Sequence, residues 1–512
     1  MRTRLAMKNI IISLLLEIVT ALSGMILPRF FTVAYGSSVN GLVSSISQFI
    51  TYMSLVEAGV SAAGIVELYR PLADHDFQSI NGILSAVKQF YYKSGAIFLF
   101  LDIALIIGYP YIVNSEITDV NFIRVMIVIL SLNGIIDYFF LGKYRVLLMA
   151  DQRNYIISLA QILGTLIIMI LSIVLIEVNA NPLIVKATVP IVYIFRTVFV
   201  SIYAHHHYRY LDFSVAANKN AFKQKSSALV HQIVGMICNN TDVVLLTVMI
   251  PVNALVQVSV YTIYSYVSYA ITSLFNSIST GIRASFGQVL AEGDNETLEK
   301  SYSLFEYGYY ILLFSIYTCM AILMYPFISL YCEKFADSYN YISWKLVIIF
   351  SMCGLIQNLR IPGSTVQVAA GHFKQTQNAA ILEATINLVI SICLVKKWGI
   401  FGVLVGTCAS YLYRTIYILI YHEKYFCPGT IKKTLSRIFR SCLGSGIVII
   451  LFANYVNHYI SNWISWIVAA IIICLLSVLV VCTINALFEP DIFSRLLKRC
   501  LKTVKSSKEK RK

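Results

Sequence analysis

Residues 463–487 read WISWIVAAIIICLLSVLVVCTINAL, without one Asp, Glu, Lys, Arg or His. A helix rises about 1.5 Å per residue, so about 20 apolar residues cross the ~30 Å hydrocarbon core of a bilayer. Working outward from this stretch, similar runs recur along the whole chain. Helical spans are expected at 9–34, 39–68, 92–113, 121–142, 155–177, 183–203 and 226–250, then at 254–282, 306–330, 341–360, 377–395, 399–421, 440–459 and 463–487. Composition agrees. The 512 residues are 58% hydrophobic and only 13% charged, with a mean hydropathy of +0.74. Soluble domains carry about 25% charged residues, so this chain has too few to coat its own surface in water. The same balance excludes a disordered chain. A membrane β-barrel is excluded because its strands read as alternating segments of about ten residues. The fold class is therefore an all-α polytopic membrane protein with about 14 transmembrane helices.

Charge sets the expected orientation. The net charge is +15, and with the N-terminus inside, the inner segments hold 31 of the 40 basic residues. The outer loops hold three: Lys334, Lys396 and Lys397. This is the positive-inside pattern. It places both termini in the cytoplasm and explains the basic surplus through anionic lipid rather than nucleic acid. Arg145, Arg360, Lys88 and Lys93 are counted here as inner flanks. The tail from Arg495 reads as a positive-inside anchor without fixed structure.

Several activities are excluded. No GxxxxGK[ST] phosphate loop is present, so the chain carries no ATPase engine. The 11 cysteines form no CxxC pair, and most lie in apolar runs, where Cys behaves as a small hydrophobe. No metal or cofactor is expected. The first apolar stretch is too long for a cleaved signal peptide.

The chain repeats itself at a shift of about 218 residues. Leu72-Ala73-Asp74-His75-Asp76 aligns with Leu290-Ala291-Glu292-Gly293-Asp294, and Tyr91-Tyr92 with Tyr309-Tyr310. Tyr109-Pro110 aligns with Tyr325-Pro326, and Ser131, Gly134 and Asp137 with Ser351, Gly354 and Gln357. Six spans separate the copies, so both have the same orientation. Two six-helix lobes related by a parallel repeat follow, 1–210 and 220–425, as in some transporters. Two additional helices (438–488) and a basic cytoplasmic tail (489–512) lie outside the repeat.

Not every span is apolar all round. In the eighth, Thr262, Tyr266, Tyr269, Ser273, Asn276, Thr280 and Arg283 recur at spacings of four and three, which places them on one helix face. Ser47, Thr51, Ser54, Glu57, Ser61 and Gly64 do the same in its repeat mate, the second span. The seventh shows His231, Gly235, Asn239 and Asp242. Small and hydroxylated positions suit close helix packing. Ionisable ones do not suit hydrocarbon: Asp or Arg at a helix centre costs about 2.5–3.5 kcal/mol on insertion scales. Glu17, Glu57, Asp102, Asp137, Asp242, Glu383, Arg29, Arg196 and Arg414 therefore either pair with one another or meet a substrate or ion.

Further residues carry a family resemblance. They are Leu27-Pro28-Arg29 through Tyr35-Gly36, Asn40-Gly41-Leu42, Gln48, Tyr52, Glu57-Ala58-Gly59 and Leu68-Tyr69-Arg70-Pro71-Leu72. His231-Gln232-Ile233 with Asn239-Asn240-Thr241-Asp242, Val258-Ser259-Val260-Tyr261 to Ser285-Phe286-Gly287, and Trp398-Gly399-Ile400 with Gly402 and Gly406-Thr407 extend it. Over about residues 1–425 the chain resembles Wzx-type O-antigen and capsule flippases of the multidrug/oligosaccharidyl-lipid/polysaccharide exporter superfamily. The resemblance implies alternating access and a cargo of undecaprenyl-pyrophosphate-linked oligosaccharide, moved from the cytoplasmic to the outer leaflet for surface polysaccharide assembly. It also implies the bacterial inner membrane as the location.

That cargo selects candidate residues. Pyrophosphate favours Arg, which offers a bidentate fork. Arg29 and Arg283 occupy the first and eighth spans, where the resemblance implies cavity arginines. Tyr266, Tyr269, Asn276 and Asn239 are candidates for the sugars, and Glu57 and Asp242 for a coupling H+ or Na+. Membrane lipids and polymerase or glycosyltransferase partners are expected, with no enzymatic activity. Two rival readings remain open. A cation-coupled multidrug exporter of the same superfamily should have an acidic cavity with few arginines. A polysaccharide polymerase or ligase should have a large outer loop, and every outer loop here is short.

Overall fold

Backbone groups in hydrocarbon must be satisfied within their own segment, and the chain meets this with helices throughout. The computed structural model describes residues 2–57, 60–113, 117, 119–218, 226–335 and 339–509. Helices run in the order α1 (Arg2–Tyr35), α2 (Ser37–Met53), a 3-10 turn (Ser54–Glu57), α3 (Val60–Asp74), α4 (Phe77–Ile112) and α5 (Val120–Ile136). A π-helical turn (Asp137–Leu141) leads into α6 (Gly142–Ala150), followed by α7 (Asn154–Glu177), α8 (Pro182–His207), α9 (Ser226–Met249) and α10 (Ala254–Glu292). Then come α11 (Asn295–Cys332), α12 (Trp344–Leu359), α13 (Ile361–Ala369), α14 (Phe373–Trp398) and α15 (Ile400–Tyr425). The chain closes with α16 (Ile431–Tyr459), α17 (Trp463–Phe488) and α18 (Pro490–Glu509). Helix is found over each of the fourteen expected spans. Among the described residues, 12 helices are long and apolar enough to cross a membrane. The α2–α3 segment and α10 are not among them: the first is broken by its 3-10 turn, the second carries the polar stripe.

Two compact units emerge: Met1–Tyr266 with Phe335–Ser338 and Val395–Ile400, and Val267–Lys334 with Tyr339–Leu394 and Phe401–Lys512. The repeat shows in backbone geometry. Left-handed residues occur at Gly36 and Asn253, His75 and Gly293, Gln152 and Gly371, and Asn179 and Gly399, separated by 217, 218, 219 and 220 positions. Glycine adopts this conformation freely and other residues do not, so four such matches mark equivalent turns. At the second pair, Asp76 and Asp294 cap the helices that follow, accepting from the Ser79 and Thr297 amides. These hydrogen bonds hold both carboxyls below the usual range. The capped helices α4 and α11 have 36 and 38 residues, with Pro110 and Pro326 inside them. They start well before the expected spans, so Lys88 sits on a helix rather than in a loop. Gly134 and Gly354 each admit a ring from the long helix of their own unit. An added Cβ would stand 2.7 Å from Phe98 in one case and 2.6 Å from the Tyr317 hydroxyl in the other.

The two helices outside the repeat pack on α11 in the second unit. The Trp466 indole donates to the Leu323 carbonyl (3.1 Å) and lies against Phe327, with ring centroids 5.4 Å apart. At the other end, Arg437 is 1% exposed. It bridges Glu306 (2.8 Å) and Glu489 (2.6 Å), and Glu489 also binds Arg440. Two acids meet two arginines, so the group is neutral. Burial opposes charge on Glu489, but Arg437 and Arg440 outweigh it and hold this carboxyl below its usual value. The tail, expected without fixed structure, continues as α18, with Leu496 against Gly308.

Glu489→Ala strips Arg440 of its carboxylate and Arg437 of one of two. Removing one partner of a buried pair costs about 3–5 kcal/mol. Purified Glu489→Ala protein should therefore unfold at a clearly lower temperature than wild type. An unchanged melting temperature would mean that this group does not hold α16 and α17 in place.

Candidate functional site

The expected stripe on α10 is real as geometry. Tyr269 is 71% exposed, and Asn276 and Thr280 are exposed with it, while Tyr266, Ser273 and Arg283 are half-buried. The packed face lies about 100° round the helix. There Asn358 donates to the Thr272 hydroxyl (3.2 Å), Ser279 meets Thr365 (2.6 Å), and Phe275 packs against Tyr309 at 5.1 Å. The stripe is thus not what holds α10 from Val267 onward to the second unit. Arg283 is notable within it: its Nε is buried and has no hydrogen-bond partner among the described residues.

The matching stripe of the second span is used differently. Thr51 and Ser54 turn back onto the Ser47 and Thr51 carbonyls, Tyr138 donates to the Ser54 carbonyl (3.2 Å), and Ser61 meets the Tyr91 hydroxyl (2.5 Å). This face is packed inside the first unit. Its one carboxylate, Glu57, lies in an ion cluster. Arg145 reaches Glu57 (3.2 Å) and Asp137 (3.0 Å), and donates to the Tyr91 hydroxyl (3.1 Å). Tyr193 donates to Asp137 (2.8 Å). Two carboxylates share one guanidinium, which leaves one negative charge for a proton or a small cation. Asp137 opens the π-helical turn, and such turns are frequent at functional sites.

Arg145 is the residue that charge counting misplaces. A basic residue near the end of a span reads as an inner flank, yet here it pairs within the span. It stands eight residues after Asp137, about 12 Å along a straight helix, so no local spacing announces the pair. Arg360 is a second case. It binds Glu383, which Arg414 also approaches (3.6 Å). Arg414 donates to the Thr376 carbonyl (3.2 Å), and the two guanidiniums lie over Tyr411 and Tyr417. This cluster has the opposite balance, two arginines to one acid.

The remaining candidates are spread out. Asp242 is buried and accepts from Tyr261 (2.9 Å), among the polar contacts between α9, α10 and α2. Those include Asn40 to Ser259 (2.8 Å) and Ser45 to Thr247 (2.8 Å). At Gly41 an added Cβ would collide with the Leu255 carbonyl, so only glycine lets these helices approach. Asn239 is exposed, and its amide donates back to the Gly235 carbonyl (2.7 Å). Arg29 is half-buried on α1.

The chain shares its fold with transporters of known structure. One is a multidrug resistance MATE family transporter of the MOP superfamily, inward-facing: 12% identity over 83% of this chain and 99% of that one, TM-score 0.59. Another is the lipid II flippase MurJ in an inward closed conformation: 16% identity over 94% of this chain and 99% of that one, TM-score 0.65. A mutant of the Vibrio cholerae MATE transporter VcmN matches at 13% identity over 84% of this chain and 98% of that one, TM-score 0.56. No family model and no curated protein matches the chain.

The charge balance of the Glu57 cluster has a measurable consequence. Glu57→Gln leaves Arg145 and Asp137 as a matched pair and should cost about 1 kcal/mol, the worth of an ordinary hydrogen bond. Arg145→Gln leaves two facing carboxylates uncompensated and should cost about 3 kcal/mol. Thermal unfolding of the purified variants gives the order. Equal losses would show that the two acids do not share Arg145.

Proposed function

We propose that this multi-pass membrane protein is a flippase that carries a polyprenyl-pyrophosphate-linked oligosaccharide from the cytoplasmic to the outer leaflet of the bacterial inner membrane. The observation that carries the reading is Arg283, whose buried guanidinium Nε has no hydrogen-bond partner among the described residues, on a polar helix face where Tyr269, Asn276 and Thr280 are exposed. A pyrophosphate accepts what that nitrogen lacks. Tyr266, Tyr269 and Asn276 lie N-terminal to it on the same stripe, where rings and an amide suit sugars. Arg29 and Asn239 complete the proposed contacts from α1 and α9. The surplus negative charge among Glu57, Asp137 and Arg145 provides the coupling site for H+ or Na+, with Asp242 as a second candidate. The lobes at 1–210 and 220–425 would then alternate in access, with both termini in the cytoplasm.

Fold coverage supports a lipid-linked cargo. The match to the MurJ structure leaves about 6% of this chain unmatched, whereas α16 and α17 together hold more than a tenth of it. The MATE matches stop at 83–84%. The MurJ match thus extends over more of this chain than the MATE matches do. One observation favours a second reading, a cation-coupled drug exporter: the acidic surplus of the Glu57 cluster also suits a cationic drug.

Arg283→Ala tests the first reading. A charge-assisted hydrogen bond contributes about 1.5–3 kcal/mol, so its loss should weaken cargo binding about tenfold or more. Surface polysaccharide should fall sharply at normal protein level, and Arg283→Lys should keep part of the activity, because it retains charge without the fork. Full surface polysaccharide from Arg283→Ala at normal abundance would remove this residue from the site.

A further inference from the structure

A second basic site lies far along the chain from the proposed cargo residues, where α17 ends and α18 begins. A groove of about 520 Å³ opens there between the first turns of α16 and α18, and Lys432, Lys433, Ser436, Arg440, Phe488 and Arg495 line most of it. Its acids are largely engaged or peripheral. Glu489 is bound to Arg437 and Arg440, and Asp491 is exposed at the start of α18. The amides of Gly429, Thr430 and Ile431 ahead of α16 are taken by Glu423, so the groove's positive character comes from side chains. Lys433 has a distant partner in Glu299 (3.6 Å). Lys432 is exposed and has no ion pair among the described residues. Arg495 is exposed, and its Nε donates to the Asp491 carbonyl (3.3 Å).

Position gives this groove its meaning. The apolar run of α17 stops at Phe488, and Lys432 and Lys433 open α16, so the groove lies where two spans leave the hydrocarbon. Directly on the membrane side, Leu435, Phe439, Leu487 and Phe488 are exposed, Phe488 by 68%. A basic pocket above an apolar wall matches one occupant in both charge and shape. We propose that this groove holds the phosphate of an anionic phospholipid of the surrounding leaflet, with its acyl chains along Leu435, Phe439 and Leu487. Lys432 and Arg495 supply the charge and the exposed aromatics supply the wall. The site does not depend on the identity of the transported cargo.

The test uses the purified full chain in nanodiscs of phosphatidylcholine doped with phosphatidylglycerol, with bound lipid counted by native mass spectrometry. Lys432→Gln combined with Arg495→Gln removes two surface charges without touching a buried contact. Each basic residue near a membrane surface strengthens anionic-lipid binding several-fold, so the double variant should retain phosphatidylglycerol about tenfold less well. Lys374→Gln, an exposed charge elsewhere, should bind as wild type does, and soluble glycerol phosphate should not compete. Unchanged phosphatidylglycerol retention in the double variant would overturn the site. An equal loss in Lys374→Gln would reduce it to general positive-inside attraction, and competition by glycerol phosphate would remove the acyl-chain contact.

Discussion

Hydrocarbon offers no hydrogen bonds, so every polar group placed inside the bilayer must find its partner within the chain or within what the chain binds. Three ion clusters among the described residues meet that constraint differently. Arg437, Arg440, Glu306 and Glu489 cancel and are used to fix two extra helices against α11. Glu57 and Asp137 outnumber Arg145, and Arg360 and Arg414 outnumber Glu383. Unbalanced charge in a low-dielectric setting is costly to hold. The proposed coupling function is placed at the unbalanced acidic cluster for that reason, and the balanced one is read as structural.

Much of the fold was legible because lipid imposes length and composition on each span. The stretch 463–487 needs only counting to be read as a membrane helix. The repeat was legible too, and through it one turn whose glycine alternates with another residue, His75 with Gly293. What escaped was the extent of the helices. Lys88 looks like a loop residue, but it sits on a helix that Asp76 caps and that starts at Phe77. The tail escaped for a related reason: a segment dense in Lys and Arg reads as unstructured, although α18 begins with a Pro at its first helical position and packs Leu496 against Gly308.

The candidate site was half legible. Spacing alone put two equal polar stripes on the second and eighth spans, and could not tell that the first is hydrogen-bonded within its unit while the second leaves Tyr269, Asn276 and Thr280 exposed. That difference arises from neighbours distant in sequence: Tyr91 and Tyr138 cover the first, while Asn358 and Thr365 hold α10 by an adjoining face. Arg145 and Arg360 were hidden by the positive-inside pattern itself, which treats every arginine at a span end as an orientation signal. Pairing with a carboxylate on another helix leaves no mark in the local sequence.

The central claim is that this fold moves an anionic lipid-linked sugar. Reconstituting the purified protein into vesicles that carry a fluorescent polyprenyl-pyrophosphate oligosaccharide in both leaflets measures this directly, with a membrane-impermeant quencher reporting which leaflet the label occupies. Flipping should expose the inner-leaflet label to the external quencher, and it should fall when Arg283 is replaced by Ala. Vesicles that leave the inner label protected, while a cationic dye moves under an imposed proton gradient, would contradict the account and establish the exporter reading.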